Sequence, residues 1–300
     1  MSVDFGNIVR RAFDLAWRFK SLWVFGLFAG GMSTFNMDWT KKVDAPEADL
    51  GFAYDWFERM GLPTSLVPSE MGVIAAILLW VAVLAFLFFI CHLIAQPAII
   101  DGVNKITRGG QYAWGTSFSR GADFFWRFLG LIMVEIVAVV ALLAAIIVPA
   151  IVLTPITLLL TVPVALVLFF FIYHTFRLAE VAMVARDNAI ADAIIEGWNL
   201  LMQNKANCFL LNLIMIGIGL CFMIVLGIAA LILYFPINVL VLALTDNLVA
   251  IFMLAVFIGL PVALVLGGYT GTFFNALYVQ FYFRLVEPPQ PATAPARATE

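Results

Sequence analysis

The sequence predicts an all-α protein: a polytopic membrane helical bundle of six transmembrane helices, arranged as three repeats of an amphipathic interfacial helix plus a transmembrane hairpin. Three observations predict it. Of 300 residues, 64% are hydrophobic and 12% charged, with a mean hydropathy of +1.05, whereas soluble domains carry roughly 25% charged residues. A soluble core of this length could not hide so much apolar side chain, so lipid must solvate most of it. Several stretches also exceed the roughly 20 apolar residues that one crossing needs. Finally, a tryptophan-centred segment recurs along the chain.

The N-terminal twenty residues include acids and lack an apolar run ahead of a small-residue cleavage site, so no cleaved secretory signal is expected. An interfacial helix is expected over residues 4–20 and a first span over residues 17–35. The apolar part of that span, SLWVFGLFAGGMSTF, is short, and extension back through Trp17 supplies the missing length. Further spans are expected at 71–100, 128–150, 151–184, 209–234 and 248–285, with interfacial helices at 112–128 and 187–204. Residues 1–285 thus form one membrane domain. The Pro/Ala-rich segment 286–300 lacks large apolar residues and is expected to be a disordered cytoplasmic tail.

Charge placement favours six crossings over five. With both termini cytoplasmic, Arg10, Arg11, Arg18, Lys20, Lys105, Arg108, Arg120, Arg127, Arg177, Arg186, Lys205, Arg284 and Arg297 lie inside, and Lys41, Lys42 and Arg59 lie outside. A five-span chain would export the densest basic cluster. The outside loop from Asn36 to Glu70 collects Asp38, Asp44, Glu47, Asp49, Asp55, Glu58 and Glu70 beside Trp39, Phe52, Tyr54, Trp56 and Phe57. Its aromatics suit the outer leaflet, and the loop is the candidate surface for a protein partner. The net charge of −3 gives no reason to expect nucleic acid.

The repeat sets RRAFDLAWRF over SRGADFFWRF, matching Arg11/Asp14/Trp17 with Arg120/Asp123/Trp126. A weaker third copy, AIADAIIEGWNLL, aligns through Trp198. At 100° per residue the first copy puts Asn7, Arg10, Arg11, Asp14 and Arg18 on one polar arc, opposite Phe5, Ile8, Val9, Phe13, Leu15, Ala16 and Phe19. The second copy sets Thr116, Ser119, Arg120, Asp123 and Arg127 opposite its aromatics. The third has a narrower stripe of Asn188, Asp192, Glu196, Asn199 and Gln203. Each helix therefore suits the membrane surface, with Arg10, Arg11, Trp17, Arg18, Arg120, Trp126, Arg127 and Trp198 as the expected contacts to membrane lipids.

Ionisable groups inside spans are costly and need a partner or a wet cavity. His92, Glu135, His174, Arg177 and Glu180 fall in the cytoplasmic half and form the candidate polar intramembrane cluster, with Asn212 and Asn275 nearby in depth. One reading is an interhelical network, with His174, Arg177 and Glu180 spaced one turn apart. Others are a transport path and a His/carboxylate metal site. No HExxH, P-loop, GxGxxG or GxSxG motif is present, so no catalytic residue, cofactor or metal is assigned. Cys91, Cys208 and Cys221 have no ligand spacing and are expected as buried apolar residues. Gly26-x-x-x-Gly30 and Gly267-x-x-x-Gly271 fit close helix packing. Pro163 and Pro261 should kink their spans, and Pro261 with Gly267 and Gly268 offers a break in the last one.

The segments FGNIVRRAFDLAWRFKSLWVFGLF, TSFSRGADFFWRFLGLIMVEIV and DNAIADAIIEGWNLLMQNK together resemble a group of bacterial integral membrane proteins. These are the membrane domain fused to some glycerophosphodiester phosphodiesterases and its stand-alone relatives of unknown function. The resemblance runs from Asp4 to Leu285 and carries over no functional residue. It implies a multi-pass protein of the bacterial inner membrane engaged in lipid-related work, without the soluble barrel that would hydrolyse phosphodiesters. The expected function is a non-catalytic membrane protein that organises lipids or a partner. The alternative is a transporter or channel for a small or amphiphilic solute.

Overall fold

Asp4 starts the first helix, α1 (Phe5–Arg18), by accepting the Asn7 backbone N–H at 3.1 Å, and Arg18 occupies the last turn, where the helix dipole favours a cation. The chain breaks at Phe19, and α2 (Leu22–Gly30) follows. Trp23 Nε1 donates to the Ala16 carbonyl at 2.7 Å, filling one of the acceptors that the end of α1 leaves open. The remaining helices are α3 (Glu70–Thr107), α4 (Trp114–Asp123), α5 (Phe125–Val152), α6 (Thr157–Arg186), α7 (Ile190–Gln203), α8 (Lys205–Leu244) and α9 (Leu248–Val286). This computed structural model describes residues 4–30, 70–152, 157–244 and 248–286. Every element among the described residues is an α-helix. Four segments, Leu79–Thr107, Phe125–Val148, Thr161–Arg186 and Lys205–Val225, are long and apolar enough to cross a membrane.

Several boundaries differ from the expectation. Trp17 and Arg18 close α1 instead of opening the first span, and α2 has 9 residues, about 14 Å of helix. The rest of that predicted span, 31–35, lies outside the described residues, as do the acidic outside loop up to residue 69 and the tail from residue 287. The break has a physical cause: α1 is two-faced while α2 is apolar all round, so one straight rod could not suit both environments. Asp123 likewise ends α4, which puts Trp126, Arg127 and Phe128 in the first turn of α5. Pro97, Pro163 and Pro261 all sit inside continuous helices, so the proposed break at Pro261 does not occur. Of the cysteines, Cys208 is buried, whereas Cys91 and Cys221 are exposed, as befits small apolar side chains on a lipid-facing surface.

The tightest packing joins α2 to α9. A Cβ added at Gly30 would lie 2.6 Å from Gly271 Cα, and one added at Gly268 would lie 2.6 Å from the Trp23 carbonyl oxygen. The two predicted glycine pairs thus pack against each other, backbone on backbone, as small residues allow between helices in lipid. Thr272 Oγ1, on the same face, reaches the Leu22 carbonyl at 3.0 Å.

Helices α1, α4 and α7 gather where the C-terminal ends of α3, α6 and α9 meet. Helix α1 buries Ile8, Ala12, Leu15 and Ala16 and packs on α9, with Phe5 stacked on Phe281 at 6.1 Å and Trp17 edge-on to Tyr269 at 6.1 Å. Helix α4 packs on α3, where Gly121 meets Ile94 and Ala98. Ser117 and Lys105 both bond to Asp101 Oδ2, at 2.9 and 2.6 Å. Helix α7 packs on α6, where Gly197 meets Thr175 and Ala179. Glu196 then accepts Asn188 at 2.8 Å and Tyr282 at 2.6 Å, and pairs with Arg186 at 3.1 Å.

This packing predicts opposite outcomes for two glycines. Gly271→Ala should destabilise the protein by about 1–3 kcal/mol through overpacking. At Gly217 an added Cβ meets nothing within 4 Å, so Gly217→Ala should be neutral or slightly stabilising. Thermal melts in detergent, followed by far-UV circular dichroism, read the difference.

Candidate functional site

The bundle must satisfy its buried polar groups internally, because lipid offers them no partner. Helices α3, α6 and α9 meet that demand together. Gln96 of α3 is buried, and its Nε2 donates to Glu180 Oε2 of α6 at 3.1 Å and to Asn275 Oδ1 of α9 at 2.9 Å. Arg177 Nη1 donates to the same Glu180 oxygen at 2.7 Å, and Asn275 Nδ2 donates to the Gly271 carbonyl at 2.9 Å. The Arg177 guanidinium also lies 5.6 Å from the centre of the Tyr278 ring, within cation–π range. Tyr278 closes the arrangement by sharing a 2.5 Å hydrogen bond with His174 Nδ1.

The predicted cluster therefore assembles in part. Arg177 and Glu180 pair one turn apart on α6, and Glu135 of α5 is within electrostatic reach of both. His174 lies beside them on α6 but bonds to Tyr278, against Phe170 and Tyr173. His92 is engaged elsewhere: its Nδ1 meets the Phe28 carbonyl at 2.8 Å. A carbonyl only accepts, so that contact puts a proton on Nδ1 and makes His92 a cap for the end of α2. Among the described residues, no group of three or more His, Cys, Asp and Glu side chains is placed to hold a metal.

Gln96 and Tyr278 were not among the expected residues. Gln96 follows His92 by one turn of α3, so an uncharged amide in an otherwise apolar stretch was the available signal. Tyr278 sits in an aromatic run, and nothing in the spacing marks its hydroxyl as a partner for His174.

A cavity of about 290 Å³ adjoins the network. Tyr173 and Arg177 of α6, Asn212, Met215 and Ile216 of α8, and Thr270, Gly271, Phe274 and Asn275 of α9 line it, with Gly30 of α2. His92, Glu135 and His174 are not part of its wall.

The expected lipid contacts divide into two groups. Arg10, Arg11, Trp17 and Arg18 are exposed on α1, and Trp126 and Trp198 are 76% and 47% exposed. Arg120 and Arg127 instead grip Asp187, at 3.3 and 2.6 Å, and both stand over the Phe124 ring. Asp187 adopts φ 58°, a left-handed conformation that aspartate and asparagine tolerate better than most residues. The Arg127 hydrogen bond, aided by the charge of Arg120, holds the Asp187 carboxyl below its ordinary value.

Two predictions follow from these pairings. Glu180→Ala leaves the Arg177 guanidinium without its carboxylate and should cost about 3–5 kcal/mol, whereas Gln96→Leu should cost about 1–3 kcal/mol through its two lost hydrogen bonds; thermal melts in detergent rank them. A carboxyl depressed in the folded state stabilises above its unfolded value, about 3.9, and loses that contribution as pH falls further. Wild type should therefore exceed Asp187→Asn in melting temperature by a constant margin from pH 7 to about pH 5, and the margin should shrink below about pH 4.

No family model, no curated protein and no solved structure matches this chain.

Proposed function

We propose that the chain is a non-catalytic integral membrane protein of six crossings in three repeats, which organises anionic lipids around its cytoplasmic end. The observation that carries this reading is the surface of helices α1, α4 and α7. Each buries small residues against a long helix and turns an aromatic outward at the same end of the bundle: Phe13 and Trp17 from α1, Trp114 and Phe118 from α4, and Trp198 from α7, with Trp126 just beyond α4. Exposed indoles beside guanidinium groups match the headgroup region, where an amphipathic ring and a cation both gain. The basic excess at the ends of α1, α3 and α4 supports a cytoplasmic location for this end under the positive-inside rule. The likeness to the membrane domain of glycerophosphodiester phosphodiesterases supports a bacterial inner-membrane location.

A second reading, a carrier for a small or amphiphilic solute, draws support from the cavity beside Arg177. That cavity bypasses both histidines and Glu135, and α3, α6 and α9 are locked together next to it by the Gln96 network. A fixed bundle with a surface belt accounts for more of the arrangement.

The belt is tested by depth and by lipid preference. Nitroxide labels placed at positions 17, 126 and 198 in nanodiscs should report one shallow depth on one face. Exchanging Arg10, Arg11 and Arg18 for Gln should weaken retention of phosphatidylglycerol by about 1 kcal/mol, roughly fivefold, for each charge removed. A label at 17 reporting the opposite face from one at 126, or unchanged retention in the triple variant, would overturn the proposal.

A further inference from the structure

The cavity beside Arg177 has a chemistry of its own. Its lining includes three residues able to donate, Arg177, Asn212 and Tyr173, and no carboxylate. Arg177 gives one N–H to Glu180, and its Nη groups carry further N–H donors. Glu180 Oε2 in turn also accepts from Gln96, so its charge is shared and the guanidinium keeps donors in hand. The side chain of Arg177 stays 21% accessible. Asn275 has both ends of its amide engaged, by Gln96 and by the Gly271 carbonyl, and so holds the wall in place instead of competing for a ligand.

The other side is apolar, formed by Met215, Ile216 and Phe274. Ile216 both lines the cavity and is exposed on the outside of α8, so the opening lies next to the bilayer. A site of about 290 Å³ falls at the lower edge of small-molecule pockets, roughly 300–1,000 Å³. It admits a headgroup-sized fragment and leaves any acyl chain outside, along the apolar flank of α8. We infer that this cavity binds an oxyanion, a phosphate or carboxylate, through Arg177, Asn212 and Tyr173, and that an anionic amphiphile supplies it from the bilayer. Guanidinium groups favour such planar or tetrahedral oxyanions because several N–H donors meet the acceptor oxygens together. The site is separate from the surface belt and shares none of its residues.

The full-length protein in detergent, examined by native mass spectrometry, tests this. It should retain one phosphatidylglycerol at least tenfold more strongly than phosphatidylcholine. Asn212→Leu, which removes a donor, and Ile216→Trp, which fills the cavity, should each weaken that retention at least tenfold while far-UV circular dichroism stays unchanged. The Arg10, Arg11 and Arg18 to Gln variant should keep this one lipid, which separates failure of the site from failure of the belt. Arg177→Gln is a secondary test, since loss of the Glu180 pair compromises folding. Added inorganic phosphate separates the sources: displacement of the lipid supports the oxyanion site with a soluble ligand as its competitor, and no displacement supports the lipid headgroup. Equal retention of the two lipids, or wild-type retention in both folded cavity variants, would overturn the inference.

Discussion

The backbone contact between α2 and α9 is the constraint on which the rest of the bundle depends. Two helices can approach this closely only where neither carries side chains, and the approach is made through Gly30, Gly268 and Gly271. It sets α9 in the register that brings Thr272 to the Leu22 carbonyl and Asn275 to Gln96. The polar network is therefore downstream of a contact built on backbone atoms. The cavity inherits the same origin, since Gly30, Gly271 and Asn275 all contribute to its wall.

Asp101 of α3 and Glu196 of α7 have a different task from the one an exposed acid would have. Glu196 belongs to the polar stripe of the third amphipathic segment. In the structure Asp101 ties α3 to α4 through Ser117, and Glu196 ties α7 to Arg186 of α6 and to Tyr282 of α9. Helices α4 and α7 are thus held by small-residue packing and by acids drawn inward, which leaves their outward faces free to carry aromatics.

Periodicity made the long helices and the amphipathic segments legible, because burial in lipid and location at a surface impose different patterns on the same 3.6-residue repeat. The glycine pairs were legible as packing surfaces, though one sequence does not say that they pack on each other. The tryptophan alignment was less informative than it looked. Trp17 lies inside α1, Trp126 lies beyond the end of α4, and Trp198 lies in the middle of α7. Shifts of about one turn preserve the face of a helix while moving its end, so facial pattern could be read but helix ends could not. In the site, Arg177 and Glu180 followed from i, i+3 spacing. His92 did not join them, because α2 packs on α3 and presents the Phe28 carbonyl to its ring, and a neighbour so distant in the chain has no local sequence signal. Asp187 was also out of reach, since its role depends on a left-handed bend that brings it to two arginines more than fifty residues earlier in the chain.

The adjacency of α1 and α2 to α9 also orders events during biosynthesis. The ribosome releases α9 after every other helix described here, so the glycine surface of α2 has no mate while the chain is being made. The two small hydrogen-bonded junctions built on Asp101 and Glu196 differ in this respect: the first can close as soon as α4 emerges, while the second waits for Tyr282. A nascent chain stalled before α9 would thus hold a half-built bundle with its closest-fitting surface bare, a natural target for quality-control proteases of the membrane.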